Sequence, residues 1–398
     1  MFSSLIVSAS PASEKPGPGN TGCRIPVDDL VLWADHEKNY DGNNKLKYAD
    51  TSIVGALFTG QMLVYAPRVT FTDCIFSSTP NTSVSCLGAN YNLQTYDNAC
   101  SAMTVSYCTL KEAAGTNLYI DKGPTPADVG DPATSSLGAN NRIEYCDIGY
   151  NCQDCAKIEK GTTFYKCWLH DAGNSAVKPD SHSDLIQGRF PQGALVVDQC
   201  NLDMKSVQFQ TDKIGNPPDG DSICNCYKVP NKKANAAVIW KCSYNDGQDC
   251  SGDVTIKDNW INGGNYTLYH SMEQKCCDGG CGDSSTGTGS SIDCGNYYSD
   301  YTLTGNKIGR DYNFGLWAGD SNGSDPGNVT GSRTFTDNIF EDGMPIADGI
   351  ENRPDRYYNR YNCFFADLWP GIDNECPGVD WPCSSPGPCT GAGCEECS

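Results

Sequence analysis

The stretch Val69-Thr-Phe-Thr-Asp-Cys74-Ile-Phe carries the reading of the fold. Apolar side chains alternate up to a Cys, and a further apolar pair follows. The unit returns as Met103-Thr-Val-Ser-Tyr-Cys108-Thr-Leu, Arg142-Ile-Glu-Tyr-Cys146-Asp-Ile, Thr163-Phe-Tyr-Lys-Cys167-Trp-Leu, Leu195-Val-Val-Asp-Gln-Cys200-Asn-Leu and Val238-Ile-Trp-Lys-Cys242-Ser-Tyr. Three later copies exchange the Cys for Asn: Val254-Thr-Ile-Lys-Asp-Asn259-Trp-Ile, Tyr301-Thr-Leu-Thr-Gly-Asn306-Lys-Ile and Arg333-Thr-Phe-Thr-Asp-Asn338-Ile-Phe. Alternation at period two is the mark of a strand. The fixed Cys or Asn marks a bend, where an inward Asn can bond the backbone of the next coil. A Cys there is either a small apolar substitute or half of a disulfide. Steps between copies run from 17 residues (Cys242 to Asn259) to 47 (Asn259 to Asn306), the spread that loop insertions give a solenoid. The expected fold is all-β: a parallel β-helix in which each coil buries its inner face on its neighbours.

Second strands are expected after the bend, at Asn117–Lys122, Ala156–Lys160, Ala176–Asp180, Ser206–Gln210, Tyr266–His270 and Asn313–Trp317. If they stack, alternation turns Tyr119, Asp121, Lys157, Glu159, Lys178, Asp180, Gln208, Gln210, Tyr269 and Trp317 outward on one sheet. Of these, Tyr119, Gln208, Gln210, Tyr269 and Trp317 are the candidate substrate-binding residues. Residues 1–22 read as a leader or its remnant, 23–375 as the β-helix, and 376–398 as a Cys- and Pro-rich tail.

Composition narrows the function. The chain has 398 residues with 28 basic and 49 acidic side chains, a formal charge of −21, which disfavours nucleic acid and anionic membrane as main partners. No apolar run is long enough for a transmembrane helix. The 24 Cys point to an oxidising compartment and disulfides, and Asn81, Asn265, Asn322 and Asn328 head N-glycosylation triplets. A secreted, extracellular glycoprotein is expected.

Trp168-Leu-His-Asp171, followed by Asp180-Ser-His-Ser-Asp-Leu-Ile-Gln187, together with Asn20-Thr-Gly22 and the Val69–Cys74 strand, resembles secreted right-handed parallel β-helix proteins of the pectate-lyase-like superfamily. The strand pattern of the resemblance covers roughly residues 50–345. It implies the fold together with a choice of activities: polysaccharide lyase, uronan epimerase, inverting glycosidase or non-catalytic surface protein. Asp180-Ser-His182 is also similar to the Asp-Pro-His segment of mannuronan epimerases, with the Pro displaced to Pro179.

The segment from His170 to Arg189 holds the candidate catalytic residues His170, Lys178, Asp180, His182, Asp184 and Arg189. Uronate chemistry begins by removing a proton next to a carboxylate, so a cation must neutralise that carboxylate before a base takes the proton. Lys178 or Arg189 suits the first task and His182 the second. A phenol such as Tyr119 or Tyr269 suits the return of a proton. Asp180 with Asp184, or Asp171 with Asp180, offers instead the acid and base of an inverting glycosidase, which needs about 6.5–9.5 Å between carboxyl groups. The competing reading of the cluster is a solvated polar loop. His170, just past a bend, also suits a structural bond to Asp171 or to a neighbouring coil. His270 is expected in the core, and His36 has no role.

No cofactor is required by the motifs. Cys152-x-x-Cys155 and Cys276-Cys277-x-x-x-Cys281 have zinc-like spacings without a repeating partner pair, so disulfides are favoured. Calcium (Ca2+) is the metal the resemblance suggests. Asp219-Gly-Asp221 and Asp283 are its candidate ligands, although they lack a full calcium loop. Two functions of different class follow: an enzyme on an extracellular uronic-acid polysaccharide, or a non-catalytic structural glycoprotein of a wall, fibre or appendage, capable of self-assembly.

Overall fold

The computed structural model describes residues 14–39, 42, 44–77, 90–96, 102–121, 140–173, 183–204, 207–209, 228–230, 234–243, 253–264, 266–273, 300–309, 311–312, 315–318, 332–343 and 345–346. Nearly all regular structure among them is β, with two short 3-10 turns at Val27–Asp29 and Trp33–Asp35. The strands fall into three rows. The pre-bend row runs through Ser52–Val54, Thr70–Thr72, Thr104–Ser106 and Asn141–Glu144, and ends at Arg333–Thr336. The post-bend row is a ten-stranded sheet from Val31–Leu32 through Ile75–Ser77, Trp168–His170 and Trp260–Asn262 to Ile339–Phe340. The third row contains Met62–Val64, Tyr91–Thr95, Thr116–Ile120, Ala234–Ser243, Tyr266–Glu273 and Gly315–Ala318. Two long strands, Ala156–Tyr165 and Ser183–Asp198, start in the third row and finish in the pre-bend row, which joins those rows into one sheet of sixteen strands.

Each strand pairs in parallel with its counterpart one coil away, the connectivity that a parallel solenoid requires. The one antiparallel strand pair described is Val207–Phe209 with Lys228–Pro230. Inward side chains of all three rows meet in one core, exemplified by Phe58, Phe71 and Phe76. The Phe58 and Phe76 rings stack at 4.4 Å, and Trp33 closes the first coil 5.0 Å from Phe58.

The bend has a fixed recipe. The residue before the rung takes a left-handed conformation at Asp73, Tyr107, Tyr145, Lys166, Gln199, Asp258, Gly305 and Asp337, with φ between 51° and 65°. That costs a non-glycine residue roughly 1 kcal/mol. Rung bonds offset it. The backbone N–H of Cys200 donates to Asn259 Oδ1 (2.7 Å), that of Asn259 to Asn306 Oδ1 (3.0 Å), and that of Asn306 to Asn338 Oδ1 (3.1 Å). The Asn259 and Asn306 amides also donate along the ladder, at 3.0 and 2.9 Å. In the Cys part the backbone N–H of Cys74 donates to Cys108 Sγ and that of Cys167 to Cys200 Sγ, both at 3.4 Å. Each thiol donates back to a carbonyl of the preceding strand, as Cys108 does to Ser106. Cys74, Cys108, Cys146, Cys167 and Cys200 are buried free thiols, so the substitute reading of these rungs holds and the disulfide reading does not.

Three expectations are corrected. Cys242 is not a rung: it lies in the third row, in register with Met272, and the ladder passes directly from Cys200 to Asn259. Alternation followed by Cys does not encode which corner it serves. Gln208 is not in the parallel sheet, because Val207–Phe209 forms the antiparallel hairpin, and Ala234–Ser243 fills that coil's third-row place. Trp317 is in register with Leu268, and Ala318 with Tyr269, so Trp317 lies one register position away from the Tyr269 column. Gln210, the Ala176–Asp180 strand and the tail 376–398 lie outside the described residues.

Candidate functional site

The third row sets a column of residues in adjacent coils: Leu63, Gln94, Tyr119, Lys157, Gln187, Ile239, Tyr269. Inward neighbours such as Leu118, Ile158, Ile186 and Leu268 are fully buried, and this core anchoring turns Tyr119, Lys157, Gln187 and Tyr269 toward the partly exposed side. Two Tyr pairs flank the column's start. Tyr65 and Tyr96 lie 5.0 Å apart, as do Tyr91 and Tyr119, and Gln61 Nε2 donates to Gln94 Oε1 between them (2.6 Å). Tyr266 and Tyr269 pair edge to face at 6.1 Å near the other end. From Tyr119 to Tyr269 is four coil steps, roughly 19 Å at ~4.8 Å per strand.

Tyr119 is held by its own neighbours. Its hydroxyl donates to Glu159 Oε1 (3.1 Å), and Lys157 Nζ lies 5.4 Å from its ring centre. Burial first, then the carboxylates of Glu159 and Asp121, push the Tyr119 phenol far above its ordinary range. Its hydroxyl proton is engaged by Glu159. Lys157 places a cation in the column, beside Tyr119.

Two members of the sequence-derived catalytic set are buried inside the stack. The His170 side chain is 0% exposed. Its Nδ1 meets Asp171 Oδ2 and its Nε2 meets Asp147 Oδ1, each at 2.8 Å, and the ring stacks on Trp168 at 3.6 Å. Burial opposes the imidazolium, but the two carboxylates outweigh it and raise the pKa above the ordinary value. Room for the ring comes from Gly149, where a Cβ would lie 2.6 Å from His170 Cε1. Asp184 is also 0% exposed. Its Oδ1 accepts from the Ala236 N–H (2.9 Å) and Asn235 Nδ2 (3.0 Å), its Oδ2 from Gln187 Nε2 (3.0 Å), while its own N–H donates to Asp154 Oδ1 (2.9 Å). Burial, then the Asp154 carboxylate, hold its carboxyl well above the usual range. Both residues tie coils together: His170 reaches across to Asp147, and Asp184 joins Asp154 to Ala236.

Lys178, Asp180 and His182 lie outside the described residues, as do Asn81, Asn265, Asn322, Asn328 and the calcium candidates Asp219, Asp221 and Asp283. Arg189 is placed by its backbone alone, in register with Lys241. Among the described residues, no group of three or more His, Cys, Asp or Glu could hold a metal ion. Tyr65, Tyr91, Tyr96, Gln61 and Gln94 are column neighbours that the sequence reading missed. Alternation in Gln61-Met-Leu-Val-Tyr65 and in Gln94-Thr-Tyr96 was the signal for four of them, while Tyr91 has the parity of the buried Leu93 and only the fold brings its ring to Tyr119. A second ladder at that corner was missed too: Asn92 Nδ2 donates to Asn117 Oδ1, and Asn117 Nδ2 to the Gly149 carbonyl. Cys155, in the next coil, is a free thiol bonded to the His170 carbonyl.

The chain is thus a nearly all-β protein of stacked parallel strands with a polar and aromatic column on one row. It matches no protein-family model, no curated protein and no solved structure. No described helix is long and apolar enough to cross a membrane.

Proposed function

We propose that this chain is a secreted right-handed parallel β-helix glycoprotein that binds and acts on an extracellular uronic-acid polymer, as a lyase or epimerase. The supporting observation is the in-register column Tyr119–Lys157–Gln187–Ile239–Tyr269. An extended polysaccharide lying across the coils meets a cation and an amide between two aromatic groups, the chemistry that holds carboxylated sugars. Lys157 supplies positive charge to a uronate carboxylate. His182, which directly precedes Ser183–Asp198 in sequence, is the proposed base, with Lys178 and Arg189 as further proposed cations.

A screen of uronic-acid polymers tests the proposal, with absorbance of unsaturated ends reporting a lyase and proton NMR at C5 an epimerase. Lys157→Ala is expected to weaken polymer binding about tenfold, on the scale of one charge-assisted hydrogen bond, and His182→Ala to abolish turnover while binding remains. Absence of both binding and turnover on every uronan screened would refute the proposal. A non-catalytic structural glycoprotein is the second reading. It is favoured by the charge of −21, which repels an anionic polymer, and by the structural employment of His170 and Asp184. A hydrolase is the weaker alternative. An acid or base that touches substrate needs access, and Asp184 has none.

A further inference from the structure

In a solenoid each coil touches only its neighbours, so stability is a chain of local terms and single coils can open on their own. The segment before the first coil departs from that scheme. Residues 14–24 run along the bend corner against the order of the coils. The Pro16 carbonyl accepts from Asn201 Nδ2 (2.9 Å). Gly17 to Thr21 form a turn closed by Asn20 Oδ1, which accepts from the Gly17 N–H (2.8 Å). The Gly22 N–H then donates to the Tyr145 carbonyl (2.8 Å), and the Cys23 N–H to Thr109 Oγ1 (3.1 Å). Arg24 ends the run with a two-pronged bond to Asp73, Nε to Oδ1 at 2.8 Å and Nη2 to Oδ2 at 2.6 Å. Its guanidinium lies 3.7 Å from the Tyr107 ring centre. The ring of Tyr107 stacks in turn on that of Tyr145 at 4.7 Å.

The fit is close. A Cβ at Gly22 would lie 2.7 Å from Thr109 Oγ1 and 3.0 Å from Asp147 Cβ. Asp73, Thr109, Asp147 and Asn201 sit at the bend or at the start of post-bend strands in separate coils. Between Asp147 and Asn201 in register lies Trp168, which carries the ring stacked on His170.

We infer that residues 14–24 are a longitudinal staple: they couple coils that are not neighbours, so the coils between Asp73 and Asn201 open only when the segment is released. This segment thereby governs local opening of the part of the stack that contains His170. The coils beyond, with Trp260–Asn262 and Lys307–Ile308, lie past its last bond at Asn201.

Native-state hydrogen exchange read by mass spectrometry on the full chain tests this. Arg24→Ala removes the clamp at an exposed side chain, and Gly22→Val forces the segment off Thr109. Lys15→Ala serves as a control at an exposed position. Peptides over Thr104–Lys111, Asn141–Gly149 and Trp168–His170 are expected to exchange about three- to tenfold faster in Arg24→Ala, as loss of a partly exposed ion pair and a cation–ring contact implies, and faster still in Gly22→Val. Peptides over Val254–Asn262 and Tyr301–Ile308 are expected to keep their rates, and Lys15→Ala to match wild type. Unchanged rates in both variants, or a uniform rise that includes Tyr301–Ile308, would overturn the staple.

Discussion

Asp184 shows how one side chain can look catalytic in sequence and be structural in space. Its neighbourhood of Asp, His and Gln suggested an acid–base group. In the fold three N–H donors surround its carboxylate and no solvent reaches it. Burial and Asp154 raise its pKa, so the folded state holds the proton more tightly than the unfolded chain does. The sign follows from linkage. Its contribution is fully present below the unfolded aspartate value of about 3.9 and is lost as pH rises through the raised folded value. Urea unfolding of Asp184→Asn across that range is expected to show a shallower decline with pH than wild type. The amide oxygen of the variant keeps the Ala236 and Asn235 bonds, while its –NH2 cannot accept from Gln187 Nε2, so the comparison is read in the slope with pH and not in the absolute stability. An equally steep decline in the variant would exclude Asp184 as the source.

At the scale of the element, the rung is the unit. Asn306 accepts from the backbone and the side chain of Asn259 and donates to the Ile256 carbonyl (2.9 Å) and to Asn338 Oδ1. Asn306→Ala leaves those buried partners unmet and is expected to cost roughly 1–3 kcal/mol in urea unfolding. Asn306→Cys should cost less, since five rungs of this chain already use a buried thiol that donates to a nearby carbonyl. Equal losses for the two variants would show that the thiol does not replace the amide. This ladder was legible because a bend needs one small or amide side chain at one place in every coil. Cys242 was misread because its strand carries the same local pattern at another corner. Only its pairing with Met272, in the third row, distinguishes them.

For the whole molecule, charge and length act together. At −21, the chain repels an anionic polymer at long range even where Lys157 attracts it locally. Association with a polyuronate is therefore expected to quicken as salt rises from low ionic strength to about 0.15 M, where the Debye length falls to about 8 Å. Surface plasmon resonance at several salt concentrations measures it. Slowing with salt would mean that local cations dominate the encounter.

Period-two alternation and the recurring Cys or Asn by themselves determined stacked parallel strands, the inward faces and the bend ladder, because those depend on local spacing alone. The sequence also put Tyr119, Lys157 and Tyr269 on one side of one row, since alternation within each strand needs no knowledge of its neighbours. Register between coils, the place of Trp317 beside the Tyr269 column, the hairpin that removes Gln208 and the burial of His170 and Asp184 were decided by tertiary structure. Loops of different length separate the coils, so only the pairing of distant strands selects which residues meet.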